Sequence, residues 1–323
     1  MAKDRALSPV FASKGISSPS PLQALHRMLY GASSGLSNGV DIAVKEKIIE
    51  KILLLIALSS IFVLALITFF IFEEGIPLIL RIGPKAFLLG EKWIPSKGLF
   101  GIFPMIVSSF WVTLGALLLG IPLGLACTIF LSELIPPSVA TLFRPAIQLL
   151  AAIPSVIYGF WGLIVLVPLI RNHLGGPGLS ILAGSMVLSF MILPTIITIS
   201  EDSLKALPPS YKAGALALGA THWQTIWRVM VPAARSGIVA SVILGMGRAI
   251  GETMAMIMIL GNAVKLPASF LDSARTLTTN IGIEMGYATG DHRQALFATG
   301  IVLFFIIMVL NSLAIFLSRR RAR

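Results

Sequence analysis

Between Ile52 and Phe72 the chain runs for 21 residues without a charged side chain. A bilayer core about 30 Å thick takes about 20 residues of helix, so a run of this length fits a membrane crossing. Five comparable apolar blocks follow, at about 103–131, 142–170, 179–200, 236–260 and 295–317. Pro154 interrupts the third block and Pro194 lies near the end of the fourth. Proline is tolerated in a spanning helix where neighbouring protein satisfies the freed carbonyls. The blocks predict an all-α, polytopic membrane protein with six transmembrane helices over 51–323. Residues 1–50 read as a cytoplasmic tail whose first forty positions are mobile. Ser17, Ser18, Pro19, Ser20 and Pro21 cannot build a packed core. Residues 41–51 predict a short interfacial helix leading into the membrane.

Only 12% of the residues are charged, against about 25% in soluble domains, which excludes a cytosolic enzyme and a disordered chain. The net charge of +11 does not point to nucleic acid, because its distribution follows the spans and no nucleic-acid-binding motif is present. With the N-terminus inside, 16 basic residues fall on the inner side and 8 on the outer. Arg319, Arg320, Arg321 and Arg323 directly follow the last apolar block. The asymmetry predicts both termini in the cytoplasm. No signal-peptide pattern precedes the first span, which is expected to stay as the membrane signal. The lone Cys127 excludes an intrachain disulfide. His26, His173, His222 and His292 are scattered without metal-ligand spacing, and no P-loop is present. The sequence therefore offers no metal site, no cofactor site and no catalytic residues.

Residues 201–235 form the longest inner loop. Ser210 is placed to cap a helix over Tyr211 to Leu218, and Gly219 permits a tight turn. A second helix is expected from about His222 to Met230, with Pro232 at the edge of span five. The first helix is rich in small residues, Ala213, Gly214, Ala215 and Ala217, which let another backbone approach closely. Trp223, Ile226, Trp227 and Met230 give the second helix an apolar stripe at helical spacing. From composition alone, the element packs either on the protein's own helices or on a partner.

The loop resembles the coupling loop of ABC importer permeases, whose pattern is Glu-Ala-Ala, three residues, Gly, nine residues, Ile, any residue, Leu, Pro. Here those positions are Ala213, Gly214, Ala215, Gly219, Val229, Val231 and Pro232. The spacing holds throughout, while Ala213 replaces the glutamate and Gly214 the first alanine. The resemblance implies insertion of this short helix into a groove on a cytoplasmic ATPase subunit.

Span five carries Arg248 and Glu252 near its middle, four residues apart and so on one face of a continuous helix. A charge at the bilayer centre costs about 2.5–3.5 kcal/mol even on insertion scales, so both must face protein, water or each other. Two readings stand: an internal ion pair that locks the bundle, or a charge in a polar translocation path. An arginine is an effective donor set for an oxyanion. Gly247 and Gly251 predict a close-packing helix face. Ser155 and Thr253 offer hydroxyls to the same path. Glu133 reads as an interfacial carboxylate, and Tyr158 as a packing residue whose hydroxyl needs a partner.

The stretch from Gly247 to Ala255 closely resembles the signature of phosphate-specific ABC permeases. Ala152 to Phe160 and Met191 to Asp202 agree with it, and together they resemble the C subunit of the bacterial phosphate importer from about Lys51 to Arg321. The resemblance implies a type I permease fold in a bacterial or archaeal plasma membrane, with Arg248 and Glu252 associated with phosphate translocation. It also implies a homologous A-type permease subunit, two ATP-binding cassette subunits that hydrolyse ATP, an extracytoplasmic phosphate-binding protein, inorganic phosphate and membrane lipid as partners. Rival readings are a permease for sulfate, molybdate or tungstate, a transporter independent of ATP, and a regulatory membrane subunit.

Overall fold

The computed structural model describes the backbone over residues 21–320, and side chains at Lys47 and over 49–316. Of the stretch expected to be mobile over 1–40, residues 1–20 lie outside the described residues and 21–40 belong to a helix, and the charges at Arg319 to Arg323 lie outside the described side chains. The described residues fall into two units, one ending at Ile67 and one beginning at Thr68.

The first unit is helical. Helix α1 runs from Pro21 to Ile82, so the chain is helical well before the expected start of span one at Ile52. The portion Ile49–Ile82 is long and apolar enough to cross a membrane. Over 49–67 its side chains are exposed, with Leu55 66% exposed and Phe62 66% exposed. An uncovered helix that is apolar all round belongs in lipid or against another chain.

In the second unit, α2 (Pro84–Leu89) leads to a two-residue hairpin, β1 (Trp93–Ile94) paired antiparallel with β2 (Leu99–Phe100). Span two is α3 (Phe103–Ile129), extended by a widened π turn at Phe130–Leu134. Span three is corrected by the structure. The expected block divides at Pro154 into α4 (Pro137–Ala152) and a shorter crossing made of α5 (Ser155–Trp161), a π turn at Gly162–Leu166, and α6 (Val167–Leu174). Proline has no N–H and pushes the residue before it out of the helical region, and Ile153 is extended at φ −65°, ψ 125°. The Tyr158 hydroxyl closes this break by donating to the Leu150 carbonyl at 2.8 Å.

Span four, α7 (Ile181–Lys205), is the most buried helix of the bundle. Its packing against α3 depends on glycines. A Cβ on Gly120 would stand 2.9 Å from Ile192 Cδ1, and one on Gly124 would stand 2.6 Å from Ile196 Cγ2. The small-xxx-small row lets the two helices approach closely.

The loop after α7 folds as α8 (Pro209–Ala217), α9 (His222–Thr225), a π turn at Ile226–Met230 and α10 (Val231–Ala233). A 69° bend then separates this segment from α11 (Arg235–Gly251). Span five is corrected too. Helix α11 stops at Gly251, and α12 (Met254–Ile259) begins after a break at Glu252 and Thr253. Among the described residues five helices are long and apolar enough to cross on their own, and up to six if the bent pair His222–Ala233 and Arg235–Gly251 counts as one span. Helix α13 (Leu277–Glu284) and span six, α14 (Gly290–Arg320), complete the chain.

Candidate functional site

The break in span five is built from backbone groups that a helix would have satisfied. Glu252 has ψ 127°, which turns the chain off the helical path. Its carboxylate Oε1 accepts from the Ala255 N–H at 3.1 Å and so caps the first turn of α12. Its carbonyl accepts from the Thr278 hydroxyl at 2.9 Å. The Thr253 hydroxyl donates to the Gly251 carbonyl at 3.3 Å.

This geometry overturns the expected Arg248–Glu252 pair. The four-residue spacing brings side chains together only along an unbroken helix, and the helix ends between them. Arg248 is half-buried and makes no hydrogen bond or ion pair among the described residues. Its guanidinium lies within electrostatic reach of Tyr158 on α5. The Gly247–Gly251 face packs on no helix of its own chain, since a Cβ on either glycine would meet nothing within 4 Å among the described residues. The close contact is made elsewhere, where a Cβ on Gly159 would stand 2.8 Å from Ala255 Cα. That approach seats α5 on α12, with Ser155 one turn before Tyr158 at the start of α5. Helix α5 thus carries Ser155 and Tyr158, α11 carries Arg248, and the break carries Glu252 and Thr253, with Arg248 in electrostatic reach of Tyr158.

A narrow crevice behind the break is lined by Ser109, Thr113, Glu252, Thr276 and Thr278. Its volume of about 10 Å³ leaves room for about one water. These hydroxyls had no signal in the sequence beyond the Thr276–Thr279 spacing of a helix cap. That cap forms, with the two side chains each bonding the other's backbone at the start of α13.

A second cluster lies at the far end of α13, in the loop expected to be extracytoplasmic. Glu284, 6% exposed, accepts from Arg275 at 2.6 Å and from the Trp93 indole at 2.7 Å, and its second oxygen also meets the His292 ring at 2.7 Å. Arg275 also donates to the Asn280 side chain and to the Asn262 carbonyl. In the same loop Asp272 accepts from the Ala268 and Ser269 N–H groups at 2.8 and 3.0 Å. Those backbone donors, with Lys265 beside them, hold its carboxyl below the ordinary aspartate value.

At the opposite end of the bundle the 201–235 loop presents α8. Ala213 and Gly214 are exposed and Ala215 half-buried, and Leu218 is 91% exposed at the tip. Gly219 adopts φ +84°, which supports the expected tight turn. Pro208 takes the cap position, and Ser210, expected there, lies inside α8. Thr221 and Gln224 form a capping box that starts α9. Pro232 sits in α10, ahead of the 69° bend. Glu133 holds this element to span two. It pairs with Lys212 at 2.6 Å, and its carbonyl meets the His222 ring at 3.2 Å. Nearby, Glu201 on α7 pairs with Arg144 of α4 at 2.8 Å and with Lys205 at 2.6 Å.

Comparison with known proteins places this architecture. Residues 120–323 match the family described as binding-protein-dependent transport system inner membrane component. A probable ABC transporter permease protein, YqgH, of Bacillus subtilis is 44% identical over 262 residues, covering 79% of this chain and 85% of its own. The phosphate transport system permease protein PstC of Haemophilus influenzae is 37% identical over 255 residues, covering 72% and 79%. The same fold is found in a bacterial ABC transporter that imports the acidic polysaccharide alginate, with TM-score 0.56 at 18% identity, covering 81% of this chain and 95% of that one. The inward-facing MetNI methionine ABC transporter matches with TM-score 0.54 at 20% identity over 67% and 94%. The chain belongs to the binding-protein-dependent transport system inner membrane components, the multi-span, non-catalytic permease subunits of ABC importers.

Proposed function

We propose that this permease carries inorganic phosphate, and that Arg248 meets the anion within the membrane. The observation that carries the reading is the Arg248 guanidinium, which sits at a broken span without a carboxylate partner among the described residues. A cation in that setting needs an anion, and a planar guanidinium suits the oxygens of a phosphate. Glu252 is engaged in capping α12, which leaves Arg248 available. The crevice behind the break is too small for an oxyanion, and in this reading a second, homologous permease completes the path. The relatives named as phosphate transport system permeases support the same substrate.

In this reading one of two ATPase subunits docks on α8 and the turn after it, through Ala213, Gly214, Ala215 and Gly219, and Pro232 lies where the loop meets span five. ATP binding closes the ATPase pair, and the loop passes the movement to the spans. An extracytoplasmic binding protein delivers phosphate to the 73–101 and 262–294 side, with both termini in the cytoplasm. Selectivity rests largely with that protein, because one arginine does not separate phosphate from sulfate.

The test is uptake of radiolabelled phosphate at low micromolar concentration in cells lacking this chain and other high-affinity phosphate systems. The intact chain should restore uptake, and Arg248→Ala should not, with assembly of the complex unchanged. Normal flux through Arg248→Ala would remove the residue from the path. Restored uptake of sulfate or molybdate in place of phosphate would move the assignment to another oxyanion.

A further inference from the structure

We propose that Thr278 is a positioning residue for Glu252, and that α13 is the strut that holds the break in span five in register. The break has three side-chain partners for its backbone: the Glu252 carboxylate on the Ala255 N–H, the Thr253 hydroxyl on the Gly251 carbonyl, and the Thr278 hydroxyl on the Glu252 carbonyl. The first two belong to the break itself. Thr278 comes from α13 and ties the break to a separate element.

A second contact points the same way. A Cβ on Gly282 would stand 2.7 Å from Thr253 Cγ2 and 3.2 Å from Ile257 Cδ1. Gly282 lies one turn beyond Thr278, so α13 touches both residues of the break along one face. The strut is anchored at each end. At its start the Thr276–Thr279 cap closes, and the Leu277 N–H bonds the Ser109 hydroxyl of span two at 3.0 Å. At its finish Glu284 is held by Arg275, Trp93 and His292. Thr278, Thr279, Asn280 and Glu284 are all buried. A short helix fixed in this way sets where the Glu252 carbonyl sits. Because ψ of Glu252 relates that carbonyl to the Cα–Cβ bond, it also fixes the direction from which the carboxylate side chain extends toward Ala255.

The assignment rests on the proposed phosphate transport for the uptake measurement alone. The experiment uses the full complex in lipid and compares the intact chain with Thr278→Val, Thr278→Ser and Gly282→Ala. Hydrogen–deuterium exchange of the 252–260 segment reports the break without any substrate. Removing the Thr278 hydroxyl, which bonds the Glu252 carbonyl and also meets the Thr276 hydroxyl at 3.0 Å, should speed exchange there by about tenfold in Thr278→Val, while Thr278→Ser, which keeps the hydroxyl, should stay close to the intact chain. Gly282→Ala should also speed exchange, by displacing Thr253 with the hydroxyl in place. Phosphate uptake should fall in maximal rate in the same two variants and recover in Thr278→Ser. Unchanged exchange in Thr278→Val, or an equal rise in Thr278→Ser, would overturn the assignment. If the exchange pattern holds while the intact complex moves no phosphate, the positioning role stands and the substrate assignment fails.

Discussion

Glu252 is an acid in a membrane span that serves as a helix cap. A glutamine at this position keeps the carbonyl oxygen that accepts from Ala255, while an alanine does not. Glu252→Ala should therefore lower the stability of the purified complex by about 1 kcal/mol, the usual scale for a lost cap, and Glu252→Gln should lower it less. Thermal unfolding in detergent checks the order, and equal losses would count against the cap. Asp272 adds a pH dependence. Its folded carboxyl titrates below the unfolded value near 3.9, so its contribution is complete above that value. The contribution is withdrawn as pH falls through the lower folded value. Faster exchange of the Ala268 and Ser269 amides only under such acid conditions would confirm it. Arg248 and Glu252 were visible in the sequence as charges where charges are costly. Their separation was not, because Gly251 and Glu252 carry no helix-stop as strong as proline. Thr278 was invisible, since one threonine among several bears no mark of the carbonyl it meets.

Between elements, α3 and α7 approach closely at their glycines. Gly124→Val should force Ile196 aside and destabilise the bundle by about 1–3 kcal/mol, the range for an overpacked core. Yield and melting temperature of the assembled complex are the readout. At the far end of α13, Trp93→Phe should remove one of the donors on buried Glu284. A loss of about 1–3 kcal/mol follows from leaving a buried acceptor less satisfied, and no loss would mean that Arg275 and His292 suffice. Helix identities were largely legible because apolar runs report spans directly. Pro154 marked the break in span three, yet the sequence left α4 and α5 within one block, since apolar composition alone does not separate a crossing helix from one beside it. The Glu284 cluster was hidden because its members lie at 93, 275, 284 and 292 and meet only through the fold.

For the whole molecule, membrane class followed from the lengths of the apolar runs and the scarcity of charge. The loop spacing from Ala213 to Pro232 carried the family resemblance, which the match over 120–323 supports at the level of the family. Gly219 tests its function. At φ +84° a β-branched residue is strained, so Gly219→Val should distort the turn between α8 and α9. In a reconstituted complex, ATP hydrolysis should continue while phosphate uptake falls. Hydrolysis and uptake that stay in their normal ratio would detach this turn from coupling.

The π turn at Ile226–Met230 carries a different kind of consequence, one of phase. A π turn holds one residue more than the α-helical path it interrupts. Removing a single residue there should leave a regular helix whose flanks keep their phase, because five residues at the π pitch turn about as far as four at the α pitch. Lys212 and His222 should then stay on Glu133. This loop can thus lose a residue without turning α8, which a regular helix, rotating about 100° per residue, cannot do.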